Sequence, residues 1–492
     1  MQELLIDLDR TANKSLQSQL REVLVSAILQ GHLGPGEKLP STRRLSTQLG
    51  ISRNTSVLVY QGLTEDGYLR TNQRSGYFVN EAICEIGMPN HSAQPLAPVG
   101  SVEGLNWGDR IKRKPGAQAN IRKPRDWQKL KYPFIYGQPD RALFPITDWR
   151  DCVYKAMGKQ WLDDWSQDTL DNDDPLLIEQ IRNRILPRRG ILASEDEILV
   201  TLGSQQALYM VASLLVGERT AVVLEDPGYP DARNIFSLRT ETVHYAGVDA
   251  GGLKLDDVPA ETELVYTTPS HQLPTTVTMP IERRKALLAQ AEADDFVVVE
   301  DDYELETNFT GKPVPALKSL DGGGRVIYLG SFSKTLFPGL RLGFVVASRE
   351  LIAEMRALRR LMVRHPPNNN QRSTAFFLSL GYYDVFVRRL HRTYEQRWQV
   401  MGEGLARHVP HAKVTRGMGG SSYWMQFDDA DRFDGPTLVQ RAQRESVYVE
   451  PGDIYFARPH APSCLRLGFS SIPTASIEPG LAILGQLLAK TG

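Results

Sequence analysis

Lys334 stands in a loop of small and hydroxyl residues, "GSFSKTLFPGLRLG" (330–343), directly after the apolar run "RVIYL" (325–329). Ser331 and Ser333 flank it, and Arg341 follows seven positions later. A lysine amine can form an imine with an aldehyde, and hydroxyls with an arginine can clamp a phosphate. Further groups follow other apolar runs. "GSQQAL" (203–208) opens a helix with Gly203, Ser204 and Gln205, where free backbone N–H groups and the positive helix end favour an anion. "EDPGYP" (225–230) offers Tyr229 as a ring to stack on. "VVVEDDY" (297–303) puts Asp301 at a strand end, where it can keep a pyridine nitrogen protonated, with Tyr303 in reach of a ring hydroxyl. "TTPSHQLP" (267–274) adds Ser270 and His271. Together these are the groups that pyridoxal 5'-phosphate needs. "LRLGFS" (465–470) then presents Arg466 as a clamp for a ligand carboxylate.

Taken singly, each element has an ordinary reading. Glu300, Asp301 and Asp302 can be an acidic strand end, His271 a structural histidine, and Arg466 a surface or structural arginine. The order of the whole set points to a cofactor site.

These residues need elements to hold them. "EILVT", "TAVVLE", "ELVYTT", "FVVVE", "RVIYL" and "LGFVVA" are short β-rich runs without polar alternation, separated by amphipathic helices. That pattern predicts an α/β body with a mostly parallel sheet buried on both faces, over residues 132–492. Ligands of such sheets bind beyond the strands' C-terminal ends. A small subdomain is expected over about 376–492, with the body's N-terminal part added to it.

Residues 1–79 have a different texture. Leu16, Leu20, Val23, Leu24, Ala27 and Ile28 form one helical stripe with Ser15 as N-cap. Ser41 caps a second helix ending at Gly50, and Ser52 a third running to about Asp66. "YLRT" and "GYFV" read as strands around a turn, "NQRSG". Three helices and a hairpin make a winged helix-turn-helix. Its third helix would present Arg53, Asn54 and Thr55 to base edges in a major groove, with Arg43 and Arg44 on phosphates and Arg74 at the wing tip. The charge of residues 1–80, nine basic against seven acidic, does not by itself separate this from a bundle used for protein contacts.

Residues 80–131 carry scattered Pro and Gly and read as a linker. Nine of its basic residues lie between Arg110 and Lys131, against one acid, Asp126. The whole chain, 492 residues with net charge −1, has no overall leaning to nucleic acid or membrane. Its three cysteines, Cys84, Cys152 and Cys464, have no metal-ligand spacing and fit a reducing cytoplasm. The first residues lack the order of a signal peptide, and no apolar run is long enough to span a bilayer. No metal site is expected.

"PGEKLPSTRRLSTQLGISRNTSVLVYQGLTEDGYL" resembles the GntR-type winged helix. "LFPITDWR", "EDPGYP", "PSHQLPT", "EDDYE" and "FSKTLFPGLRLGF" resemble the fold-type-I aminotransferases. Joined, the two resemble the MocR/GabR family of bacterial transcription regulators over nearly the whole chain. The resemblance implies an imine between Lys334 and the cofactor, Asp301 on the pyridine nitrogen, Tyr303 on the ring oxygen, Tyr229 stacked and Arg341 on the phosphate. It also implies a head-to-tail homodimer that binds promoter DNA and senses a small amino-group-bearing effector, which takes the place of Lys334 as an external aldimine. GABA-responsive members carry an arginine two residues after the stacking tyrosine. Here Asp231 stands there, with Arg233 two further on, so the resemblance does not extend to GABA. Two other readings stay open at this point: an aminotransferase with an accessory DNA-binding head, and a DNA-binding protein whose pocket is only structural.

Overall fold

The computed structural model describes residues 6–12, 14–72, 76–85, 106–304, 306–310, 314–415, 417–428, 433–457 and 463–489. Two compact units divide the chain, Met1–Ile111 and Lys112–Gly492.

In the first unit, α1 (Leu16–Leu29), α2 (Thr42–Leu49) and α3 (Arg53–Glu65) precede a hairpin of β1 (Leu69–Asn72) and β2 (Gly76–Val79). Leu20, Leu24, Ala27 and Ile28 of the predicted stripe are buried, while Leu16 and Val23 are half-buried. They pack with Leu45, Val59, Tyr60 and Leu63 in a core confined to this unit. The sequence sets the helix starts directly. Ser15, Ser41 and Ser52 each accept a hydrogen bond from the backbone N–H three residues on, supplying a partner that the first helical turn lacks. Tyr60 is buried with its hydroxyl donating to the Pro40 carbonyl at 3.0 Å. The winged helix-turn-helix is therefore present as read. Arg74, at the wing tip, lies outside the described residues.

The second unit is built on an eight-stranded sheet. Its strands are β3 (Ile198–Thr201), β4 (Val222–Asp226), β5 (Val243–Asp249), β6 (Gly252–Leu253), β7 (Leu264–Thr267), β8 (Val297–Asp302), β9 (Val326–Ser331) and β10 (Gly343–Val346). Their spatial order is β3-β10-β9-β8-β7-β4-β5-β6. All six predicted apolar runs are strands, buried nearly throughout. β10 departs from the parallel expectation, running antiparallel to both β9 and β3. β5 carries no apolar-run signal because it lies toward the sheet edge and is mostly half-buried.

A smaller antiparallel sheet, β11 (Lys413–Thr415), β12 (Ser422–Gln426), β13 (Glu450–Pro451) and β14 (Cys464–Gly468), has the order β11-β12-β14-β13. The long helix Tyr382–His408 and the C-terminal helix Thr474–Ala489 contribute Leu405, Leu481 and Leu484 to the core they share with this sheet. Tyr132–Pro133 pairs with Val447–Tyr448.

The basic segment read as a linker is part of the second compact unit from Lys112 onward. Gln118 Nε2 donates to the Asn234 carbonyl at 3.0 Å, and Asn234 Nδ2 to the Ala119 carbonyl at 2.9 Å. Ile121 packs among apolar side chains that include Tyr136 and Trp424. Composition alone suggests a solvated tether, but a few apolar and amide side chains are enough to seat it.

Ser52→Ala removes the cap of α3 and should cost about 1 kcal/mol. Amides of Arg53–Glu65 should then exchange hydrogen roughly five-fold faster in the full-length chain, with the second unit unaffected.

Candidate functional site

The C-terminal ends of β3, β8 and β9 supply most of the predicted residues. In the register of the parallel pair β8–β9, Asp301 lies opposite Leu329, and the Lys334 loop leaves β9 shortly after. Side chains alternate between the faces of a strand, and this separates three consecutive carboxylates. Glu300 accepts hydrogen bonds from the backbone N–H groups of Leu317 and Lys318, both at 2.9 Å, and faces Arg284. Asp302 accepts from Arg189 Nε at 2.6 Å and from the Tyr328 hydroxyl at 2.8 Å. Asp301 Oδ2 accepts from the Tyr266 hydroxyl at 2.9 Å, whereas its Oδ1 is buried with no partner among the described residues. Burial pushes this carboxyl up to about 7, with the Tyr266 hydrogen bond pulling the other way.

Lys334 is half-buried, its nitrogen 4.5 Å from the centroid of the Tyr136 ring. Burial first, then the nearby Lys123 and Arg466 cations, bring its amine down to about 7 against the pull of Glu304 and Glu450. A large fraction of this lysine is therefore neutral, and nucleophilic, near neutral pH. Gly137 faces it with φ +69°, and a Cβ there would collide with the lysine nitrogen.

Arg341 and Gly203 are brought together by the β3–β10 pairing, in which Thr201 lies opposite Gly343. Arg341 Nη2 donates to the Leu202 carbonyl at 2.9 Å, and a Cβ on Gly203 would stand 3.4 Å from that nitrogen. Gly203, at φ +84°, precedes the twelve-residue helix Ser204–Leu215, whose N-terminus has no side-chain cap. An arginine beside an uncapped helix N-terminus is an anion site by charge and by donor supply. The first turn also holds Gln205, whose Nε2 donates to Asp231 Oδ2 at 3.1 Å. The Tyr229 hydroxyl donates to the same oxygen at 3.1 Å and feels both Asp301 and Arg341, so Tyr229 lies between the acid and the anion site. The Ser331 hydroxyl accepts from the Ser333 N–H at 3.2 Å, and Ser333 Oγ is buried without a partner among the described residues.

Two predicted residues are placed differently from expectation. His271 turns toward Arg189, Ser270, Arg284 and Glu304 rather than Asp301, because it shares the strand-end face of Asp302. Tyr303 is buried, but its hydroxyl donates to the His271 carbonyl at 2.7 Å.

Arg466 is fully buried on β14, opposite Glu450 of β13. Its Nε donates to Ser422 Oγ at 3.0 Å and its Nη1 to the Tyr455 hydroxyl at 3.1 Å, while Nη2 has no partner among the described residues. The guanidinium carbon is 3.2 Å from the Tyr136 ring centroid. Tyr136, Tyr266, Lys123, Glu450 and Tyr455 are absent from the sequence reading. Tyr266 had one signal, a tyrosine inside an otherwise apolar buried strand, which must find a partner for its hydroxyl.

In the first unit, Arg43, Arg44, Arg53 and Asn54 are exposed. Thr55 is half-buried; its N–H donates to Ser52 Oγ at 3.1 Å and its hydroxyl pairs with the same oxygen at 2.8 Å.

Residues 168–484 match the family model for aminotransferase class I and II, and residues 16–79 that for bacterial regulatory proteins of the gntR family. The solved structure of LysN, the alpha-aminoadipate aminotransferase of Thermus thermophilus complexed with N-(5'-phosphopyridoxyl)-L-leucine, matches with a TM-score of 0.71 and 29% identity. It covers 79% of this chain and 99% of that one. The protein is thus a DNA-binding regulator whose larger unit has the fold-type-I aminotransferase fold. Over 96% of both chains it is 43% identical to the HTH-type transcriptional regulator TauR of Rhodobacter capsulatus. It is 30% identical to the probable rhizopine catabolism regulatory protein MocR of Rhizobium meliloti, over 96% of this chain and 94% of that one. The chain belongs to the MocR family of GntR-type transcription regulators, and its role is regulation rather than turnover.

A folded-state carboxyl near 7 against an unfolded value of about 4 means that folding retains a proton in that window, so stability falls as pH rises through it. Asp301→Asn removes this penalty. The cofactor-free variant should melt higher than the wild type at pH 8, by an upper bound of roughly 4 kcal/mol, and equally at pH 4. Thermal melts across that range check both points.

Proposed function

We propose that the second unit holds pyridoxal 5'-phosphate and senses a small amino compound, and that this alters promoter binding by the first unit. The observation that carries the reading is the lone Asp301 oxygen, buried beside the strand that delivers Lys334. A buried carboxylate oxygen without a donor is costly. A protonated ring nitrogen would satisfy it; Asp302 Oδ1 is also buried without a partner among the described residues, but that carboxylate lies on the other strand face, where its second oxygen is held by Arg189 and Tyr328.

When bound, pyridoxal phosphate supplies an aldehyde that condenses reversibly with amines. Each residue has a part to play toward it. Lys334 offers an amine already partly neutral. Arg341 and the first-turn N–H groups of the Ser204–Leu215 helix receive the phosphate, with Ser331 and Ser333 in the facing loop. Tyr229 gives a ring face, and the Tyr303 hydroxyl, which donates to the His271 carbonyl, can accept from the ring hydroxyl. Arg466 presents its unpaired Nη2 to an acid group of the effector. An amino compound that displaced Lys334 would leave its amine free beside Lys123 and Arg466, and the effector acts only through its different affinity for the two states. The resemblance to MocR relatives supports a head-to-tail homodimer in the cytoplasm, and exposed Ile146, Tyr154, Met157 and Leu361 offer apolar surface for a second copy.

On the DNA side, Arg53 and Asn54 at the exposed start of α3 read bases, while Arg43 and Arg44 hold phosphates. With an operator selected from random duplexes, Arg53→Ala should lower specific affinity by about 1 to 3 kcal/mol and non-specific affinity much less. Equal losses on both would make Arg53 a phosphate contact.

Lys334→Ala tests the sensor. Borohydride reduction of the cofactor-loaded wild type should leave the cofactor's mass on the peptide containing Lys334 and on none in the variant. The variant should fold and bind the operator, yet show no response to amines that modulate the wild type. An unmodified Lys334 in loaded wild type would refute the reading.

A further inference from the structure

The basic segment takes no part in the site described above, apart from Lys123, and its other cations lie on the surface. Lys112, Arg113, Lys114, Arg122 and Arg125 are all exposed, and none has an ion-pair partner among the described residues. The stretch Lys112–Lys131 has one acid, Asp126, and Lys129 takes it at 3.3 Å. By contrast, exposed Arg349, Arg364 and Arg407 of the same unit each pair with a carboxylate: Asp196, Asp168 and Glu478. Like charges crowded on one short stretch repel one another, a cost that a polyanion laid across them would reverse.

The segment is seated rather than loose. The Ala117 N–H donates to the Lys114 carbonyl at 3.0 Å and the Gln118 N–H to the Pro115 carbonyl at 3.1 Å, closing a turn directly after Lys114. The Gln118 side chain holds the Asn234 carbonyl. On either side of Arg122, Ile121 is packed among apolar side chains and Lys123 Nζ donates to the Tyr136 carbonyl at 2.6 Å. The Arg122 carbonyl itself accepts from the Tyr448 hydroxyl at 3.3 Å. Arg122 is thus fixed by its backbone and by both neighbours, while its charged end stays in solvent. Cations displayed from a held backbone lose less freedom on binding than those of a disordered tail.

Two features narrow the partner. The elements here are the three-residue turns Pro115–Ala117 and Trp127–Lys129, with no helix or hairpin to enter a groove. A contact made from them meets phosphates rather than base edges. Any duplex held by the first unit is also tied to this segment through one chain, which raises its local concentration there. We propose that the exposed cations of Lys112–Arg125 form a second, sequence-independent contact to duplex DNA, made by the larger unit with the phosphate backbone while the first unit reads bases. This rests on the DNA-reading role of the first unit.

The test uses the full-length chain, the operator selected from random duplexes and an unrelated duplex of equal length, titrated by fluorescence anisotropy between about 50 and 200 mM salt. The combined variant Arg113→Gln, Lys114→Gln, Arg122→Gln, Arg125→Gln should flatten the dependence of log affinity on log salt by about 1 for each cation that meets a phosphate, and by at least about 2 in all. It should weaken both duplexes alike, by about ten-fold or more at the lower salt, unlike Arg53→Ala. Arg113→Lys, Arg122→Lys and Arg125→Lys together, with Lys114 kept, should preserve the slope. In the wild type, operator duplex should protect Lys112 and Lys114 from acetylation, read by peptide mass, and leave exposed Lys285 and Lys413 reactive. An unchanged salt slope, or equal reactivity of Lys112 and Lys114 with and without duplex, would overturn the proposal. So would loss of self-association in the glutamine variant with DNA affinity kept, which would assign the patch to a second copy of the chain. A wild type that bound no duplex at all would overturn the DNA-reading role of the first unit, and this proposal with it.

Discussion

Three consecutive carboxylates at the end of a strand buried on both faces set the terms for the second unit. Ionised side chains taken out of water need partners, and a strand can turn them only alternately to its two faces. Glu300 and Asp302 share one face, the first held by two backbone N–H groups and Arg284, the second by Arg189 and Tyr328 through its Oδ2, with Oδ1 lacking a partner among the described residues. Asp301 turns the other way with Tyr266 as its partner and one oxygen left over. That oxygen is the one the proposed cofactor's ring nitrogen would satisfy.

The second determinant is the distribution of positive charge. Arg341 stands with the uncapped helix N-terminus on one side of Tyr229, while Lys123, Lys334 and Arg466 gather around Tyr136. Burial first, and then the neighbouring Lys123 and Arg466 cations, bring the Lys334 amine down to about 7, so that it loses its proton more easily than an exposed lysine. Lys334 does so more readily than an arginine, because a guanidinium holds its proton far more strongly than an ammonium.

The first unit solves a different problem with simpler means. It has its own apolar core, and three serines start its three helices. The cations proposed to contact DNA, Arg43, Arg44 and Arg53, are exposed rather than buried, as suits contacts that exchange with counterions on binding.

Local signals made much of this legible in the sequence. Serine caps, a glycine stop after α2, six apolar strand runs, and the order of Gly203, Tyr229, Asp301, Lys334 and Arg341 after strands depend on near neighbours, so the residues at hand suffice to read them. Choosing among Glu300, Asp301 and Asp302 by partner, joining Arg341 to Gly203, and turning His271 away from Asp301 all required strand pairing between residues far apart in sequence. The same holds for Lys123, which composition assigns to a solvated basic tether and the tertiary structure places against Tyr136. Periodicity and capping are properties of a short stretch of chain, whereas the partner of a buried charge is decided by whatever the fold brings within a few ångströms of it.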